Sequence, residues 1–382
     1  MNIQRSDEMG LPEINITFKK LAESATGRLG RIVAIILKDT KITGITEIKE
    51  LDEIPTNLSI DNKDYLEMVF KGAITSNTQN TGFEDIIQPK KVICCIIPTT
   101  NTTDGEGGET DQLVQAFNLL ESADFNYICM PDADETELQK LNNWVTKLEE
   151  DNKVMVIAIT GDNPANSESV VNFTTSGVKV KGKTKKYDSG QYSPRLAGLI
   201  ACTPLTESIT YAKLDEIEDI DTISRTESNS KIDNGELLLV KEAGAIRVGR
   251  GVTSLVPTEK EDQIFKKIKI VDTRNMIQRD IKNTLIDQYI GKVPNSYTNK
   301  SILIVAIKEY LEGLAKQEII KENQIVEINI DAQKKYLKEQ DVNILEFSEQ
   351  QIKEYDTGTN VFLRIKIGVI DAMEDFDIEV MC

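Results

Sequence analysis

The final regular pattern in the chain is VFLRIKIGV, residues 361–369. Val361, Leu363, Ile365, Ile367 and Val369 point to one side, and Phe362, Arg364, Lys366 and Gly368 to the other. That period of two is the mark of a half-buried strand. A mostly acidic run from Asp371 to Asp377 follows, and then Ile378 and Val380 resume the alternation. Near the other end, LPEINITF sets Leu11, Ile14, Ile16 and Phe18 in a short extended pattern, where Pro12 forbids a helix interior. Chain ends usually fray, so strand-like pieces at both extremities ask for something to pair with.

Between them the pattern predicts three bodies. In 21–88, RIVAIILKD reads as a strand, KITGITEIKEL alternates imperfectly, and NKDYLEMVFKGA is helix-like. This predicts a small β-rich domain. In 89–258, KVICCIIP is apolar without interruption, as in a strand buried on both faces. A helix with Leu113, Phe117 and Leu120 on one side follows, then the strand FNYICMP. A second helix carries Leu138, Leu141, Val145 and Leu148 as a stripe, and KVMVIAIT is a third strand. Strand, helix, strand, helix, strand predicts an α/β domain with a mostly parallel sheet. Further on, ELLLVKEAGAIRVGRGVTSL predicts a hairpin turning at Glu242–Ala245. In 259–370, IFKKIKIV reads as a strand, and Ile277, Ile281, Leu285 and Tyr289 mark a helix that stops at Gly291 and Pro294. SILIVAIKEYLEGLA predicts a second helix, IVEINI a strand, and DAQKKYLKEQ and SEQQIKEY shorter helices. The expected fold class is therefore multidomain α/β and α+β. It has a terminal arm at each end, 1–20 and 371–382.

Composition narrows the function. Lys plus Arg number 45 against 63 Asp plus Glu, a net charge of −18. Such a surface repels phosphate backbones and argues against nucleic-acid binding. There is no histidine, which removes Ser-His-Asp and Cys-His catalysis and His-ligated metals. Five cysteines, without a C-x-x-C pair, suit neither a disulfide framework nor a zinc site. They point to a reducing cytoplasm. No signal peptide opens the chain, and the longest apolar runs are far too short to cross a bilayer.

The motifs that resemble chemistry are weak. Gly105–Gly108, GEGG, lies between a strand and a helix, where phosphate loops sit. But G-x-G-x-x-G is incomplete, no P-loop lysine follows, and Asp104, Glu106 and Glu109 would repel phosphate. A nucleotide-binding α/β enzyme is the alternative this loop keeps open. PDADETE opens like a calcium loop, yet Glu137 and Asn143 occupy the positions that require Gly and Glu, so it reads as an acidic helix start. DEIEDID and the lysine cluster KVKGKTKK read as solvated charge, and Trp144 as packing. On the 277–289 helix, Arg279 lies opposite the apolar stripe with Lys282 on its shoulder. With Arg274 they form a locally basic stretch that could meet an acidic neighbour. No catalytic constellation emerges.

Two short alternating arms suggest deliberate edge pairing, in which each adds a strand to a neighbour's sheet. At this point the chain resembles the contractile tail sheath proteins of bacteriophages and phage-tail-like bacteriocins, of the kind found in Gram-positive prophages. The matching stretches are GLPEINITFK, GRLGRIVAIILKD, QAFNLLESADFNYICMP, SPRLAGLIACTPLTESITYA, ELLLVKEAGAIRVGRGVTSL, FKKIKIVDTRNMIQRDI and YIGKVPNSYTNKSILIVAIKEYLEGL. Their order along the chain carries the likeness, which runs from Gly10 onward.

The resemblance implies a structural subunit without cofactor or metal, assembled as stacked rings into a helical sheath around an inner tube. It implies contraction that drives the tube through a cell envelope. Its implied partners are other copies, the tail tube protein, and baseplate and tail terminator proteins, with no nucleic acid and no membrane insertion. Its place is the virion tail or a phage-tail-like particle assembled in the bacterial cytoplasm. The sheath of an intracellular secretion apparatus is a further alternative on the same fold. The arm residues expected to contact neighbours are Leu11, Ile14, Ile16 and Phe18 at one end. Leu363, Ile365, Ile367, Ile378 and Val380 are those at the other. The resemblance turns the inner, C-terminal domain toward the tube, making Arg274, Arg279 and Lys282 the candidates there.

Overall fold

The computed structural model describes residues 31–76, 84–99, 102–103 and 109–381. The chain opens with β1 (Ile32–Asp39), β2 (Gly44–Ile48), α1 (Ile60–Phe70) and the hairpin β3 (Ala73–Ser76)–β4 (Glu84–Ile87). β5 (Lys91–Pro98), the two-residue strands β6 (Thr102–Thr103) and β7 (Glu109–Thr110), and α2 (Gln112–Glu121) come next. Then follow β8 (Tyr127–Cys129), α3 (Glu135–Glu150), β9 (Ile157–Gly161) and β10 (Val170–Phe173). β11 (Val178–Val180) and β12 (Lys186–Tyr187) lead into α4 (Ser189–Cys202), β13 (Ile217–Asp219), α5 (Arg225–Asp233) and β14 (Glu236–Leu237). The predicted hairpin is β15 (Leu239–Glu242) and β16 (Ala245–Val248). The chain finishes with α6 (Ile268–Gln288), α7 (Tyr297–Lys316), β17 (Ile325–Ile328), α8 (Ile330–Glu339), α9 (Glu349–Glu354) and β18 (Leu363–Lys366).

Seven strands form the main sheet in the order β14-β10-β9-β8-β1-β5-β2. All neighbours are parallel except β2, which runs antiparallel to β5. Helices cover both faces, which is why the strands read as unbroken apolar runs. In β1, Val33, Ile35 and Leu37 face one core with α1 and α4, while Ala34 and Ile36 face the other with α2 and α3. The predicted stripes of α2 and α3 are buried, all but Leu138 in that second core, where Trp144 stacks on Phe117 with ring centroids 4.5 Å apart. α3 starts at Asp134 with a capping box closed by Glu137, so PDADETE is a helix start.

Two expectations change. Residues 21–88 do not make a separate β-rich domain in their described part, because β1 lies at the centre of the main sheet between β8 and β5. Its run IVAIIL is buried on both faces, like VICCII, and such a strand needs helices on each side. IFKKIKIV is not a strand. A 3-10 segment covers 260–266 and α6 begins at Ile268. Ile268 to Asn275 is buried all round, which hides the helical period in the sequence.

α6 joins the two bodies. Ile268, Ile270 and Val271 belong to the central core, whereas Ile277 and Ile281 belong to the C-terminal core of α7, β17 and β18. A buried polar cluster fixes the joint. Arg31 pairs with Asp272 of α6 and donates to the carbonyls of Ile200 (2.7 Å), Ala201 (3.0 Å) and Thr203 at the end of α4. Tyr127 donates to the same carboxylate. A cation at a helix C-terminus satisfies carbonyls that have no intrahelical partner.

Candidate assembly interface

The C-terminal core carries a sheet of only two strands, β17 antiparallel to β18, with Ile325 opposite Lys366 and Ile328 opposite Leu363. A two-stranded sheet is marginal alone; this one is held by its inner face. Val326, Ile328, Ile365 and Ile367 are buried beneath it. Asn329 N–H donates to Phe362 O at 2.9 Å. Pairing alternates along an antiparallel ladder, so the main-chain groups of Val326 and Ile328, and of Leu363 and Ile365, face the two outer edges. Among the described residues neither edge is paired. On the outward side, Arg364 meets Asp331 (2.5 Å), Asn329 (2.8 Å) and Glu327 (3.6 Å).

After Val369, which bridges Ile320, the chain leaves the domain. The acidic run then binds the molecule's own body. Glu374, its side chain 5% exposed, accepts from Thr210 (2.7 Å), Ser208 (3.0 Å) and Lys267 (3.0 Å). Asp371 also pairs with Lys267, and Asp375 with Arg250. Burial alone would raise the Glu374 carboxyl pKa; the bonds from Thr210, Lys267 and Ser208 bring it below the ordinary value. Beyond this latch the chain has no strand partner among the described residues. Phe376, Ile378 and Val380 are 71–78% exposed.

The residues chosen from sequence divide accordingly. Leu11, Ile14, Ile16 and Phe18 lie outside the described residues, as does the Gly105–Gly108 loop. Ile378 and Val380 stand free on the arm. Leu363, Ile365 and Ile367 instead turn their side chains to the chain's own C-terminal core, so only the edge of their strand is open. Arg274, Arg279 and Lys282 are engaged within the chain, which corrects the picture of a basic surface. Arg274 is buried against Glu168, with Glu149 3.7 Å away. Arg279 binds Asp124 (2.5 Å) and the carbonyls of Phe125 (2.6 Å) and Met155 (2.8 Å). Lys282 donates to the Asn152 carbonyl at 2.9 Å. Together they clamp α6 to one end of the main sheet.

Lysines of the KVKGKTKK cluster are also paired. Lys179 meets Glu218 at 2.9 Å, Lys183 meets Asp64 at 2.6 Å, and Lys185 meets Asp61 at 2.8 Å. Cys94, Cys95, Cys129 and Cys202 are buried and free, and burial pushes Cys94 and Cys202 up to about 12. No group of side chains suited to a metal, and no helix long and apolar enough to cross a membrane, occurs among the described residues. The latch was not legible in sequence. Its acids were visible, but Lys267 and Arg250 are distant along the chain and only folding brings them together.

Comparison with known proteins decides the family. Residues 106–254 match the phage tail sheath protein central domain, and residues 260–381 the phage tail sheath C-terminal domain. The chain is 42% identical over 373 residues to a tail sheath protein of Clostridium phage phiCD119, covering 97% of this chain and 99% of that protein. The chain belongs to the phage tail sheath family. Solved sheath structures share its fold at low identity. The contracted helical sheath of the anti-feeding prophage matches with a TM-score of 0.65, at 13% identity, over 98% of this chain and 99% of that one. The contracted sheath complex of the extracellular contractile injection system PVC gives 0.63, at 10% identity, over 99% and 98%. A sheath tail protein of Listeria innocua gives 0.60, at 14% identity, over 91% and 97%.

Proposed function

We propose that this sheath chain polymerises as stacked rings around an inner tube and contracts to drive that tube through a cell envelope. The observation that carries the reading is a pair of unfinished elements within one chain of the sheath family. An exposed apolar arm ends the described chain, and a two-stranded sheet beside it has open edges. Supplying the arm to the sheet of another copy completes both, by strand addition. Burying three apolar side chains contributes about 1.5–3 kcal/mol each. About five hydrogen bonds add about 1 kcal/mol each. Ordering the arm costs about 1–2 kcal/mol per residue. The margin per link is a few kcal/mol, enough to hold a lattice through many links. The segment containing Leu11, Ile14, Ile16 and Phe18 is assigned the same task at the other end.

The inner tube, baseplate and tail terminator proteins are the partners this reading requires, and its place is a virion tail or a phage-tail-like particle. It calls for no catalytic group and no cofactor. Purified protein is expected to form rings or tubes visible by negative-stain electron microscopy. Removing residues 376–382 is expected to leave a folded subunit that sediments as a monomer. A truncated protein that still builds tubes would overturn the arm mechanism.

A further inference from the structure

The two unfinished elements carry complementary patterns. The edge strand and its continuation read Leu363, Arg364, Ile365, Lys366, Ile367, and the arm reads Phe376, Asp377, Ile378, Glu379, Val380. Each alternates apolar and charged residues over five positions, one with cations and the other with carboxylates. On the sheet, the apolar set faces the core while Arg364 and Lys366 stand on the outward side. Lys366 is in no salt bridge among the described residues, and neither are Asp377 and Glu379 on the arm. The other edge differs. β17 presents Ile325 and Glu327 on its outward side, with Ile325 43% exposed.

We infer that residues 376–380 of a second copy pair with the outer edge of β18 and not with that of β17. The inference rests on the arm reading above and names the edge which that reading leaves open. Burial of the apolar set selects one of the two facings that side-chain alternation allows. With Phe376, Ile378 and Val380 turned inward they extend the layer of Leu363, Ile365 and Ile367, and Asp377 and Glu379 then stand beside Arg364 and Lys366. Opposite charges directly across adjacent strands stabilise a sheet, and like charges destabilise it. At the β17 edge the same arm would set a carboxylate beside Glu327. The arm does not serve its own sheet, because the latch at Asp371, Glu374 and Asp375 holds its root against Lys267 and Arg250. The charge pattern fits both strand directions. Antiparallel addition sets Asp377 beside Lys366, and parallel addition sets Glu379 there.

The test measures the critical concentration for polymerisation of the full chain, by sedimentation and electron microscopy. Lys366→Glu is expected to raise it about fivefold, from one opposite-charge pair becoming a like-charge pair. Its melting temperature is expected to be unchanged. Adding Asp377→Lys to that variant is expected to restore assembly to within about twofold if the strands are antiparallel. Adding Glu379→Lys is expected to do so if they are parallel. Glu327→Lys is expected to leave assembly unchanged. Failure of both second substitutions to restore assembly, or improved assembly in Glu327→Lys, would overturn the edge assignment. The chain lacking residues 376–382 separates the two levels. If it polymerises like the intact protein, the arm reading itself falls. If it does not, and Lys366→Glu assembles normally, only the edge assignment falls.

Discussion

Glu374 shows how a single residue gives direction to a segment without regular structure. Its carboxylate is buried, and its bonds come from two hydroxyls and an ammonium. Its pKa is lowered in the folded state, so its contribution is full above the unfolded carboxylate pKa of about 4.3 and is lost as pH falls through the lowered value. Corrected for the intrinsic rate at each pH, hydrogen exchange at 371–375 is therefore expected to accelerate in acid before the core opens, while neutral pH keeps it slow. Glu374→Ala is expected to produce that acceleration at neutral pH, with the main sheet unaffected. Equal exchange in both proteins would mean that the latch does not hold. The sequence displayed the acids of this run, but its cations come from the junction between the 3-10 segment and α6 and from the segment after β16.

At the scale of elements, the decisive piece is α6. Twenty-one residues at about 1.5 Å each make a rod of roughly 31 Å. Its first half is buried in the central body and its second half in the C-terminal one. Arg31, Asp272 and Tyr127 anchor the first half, and Arg279 and Lys282 clasp the second. Removing one partner of a buried ion pair strands the other. Asp272→Ala is expected to cost about 3–5 kcal/mol, read by urea denaturation. A loss below about 1 kcal/mol would show that the carbonyls of α4 suffice for Arg31. The helical stripe at Ile277 and Ile281 was legible because that half has one solvent-facing side. The half before it was read as a strand because burial all round removes the period.

For the whole molecule, a helix shared by two cores predicts one cooperative unit. Calorimetry of the unassembled subunit is expected to show a single transition in which both bodies unfold together. Two resolved transitions would show that α6 does not couple them. A single transition would mean that the subunit moves as a rigid piece, so that the change of shape in a contracting sheath falls to the arms and to the surfaces between copies. The acidic balance of −18 suits such a lattice, because free subunits repel until specific pairing overcomes the repulsion.

The sequence alone determined what depends on local pattern. The buried strands KVICCIIP and FNYICMP, the stripes of α2 and α3, and the hairpin at Glu242–Ala245 all follow from side-chain period and turn chemistry. Tertiary structure decided what depends on contacts between distant segments. It placed β1 at the centre of the main sheet, between strands that follow it in the chain. It turned Ile365 and Ile367 into the chain's own core and directed Arg274, Arg279 and Lys282 to partners more than a hundred residues away. A period states which side of an element is apolar. Only the packed chain states what lies against that side, because the free energy of burial is the same whichever apolar surface supplies it.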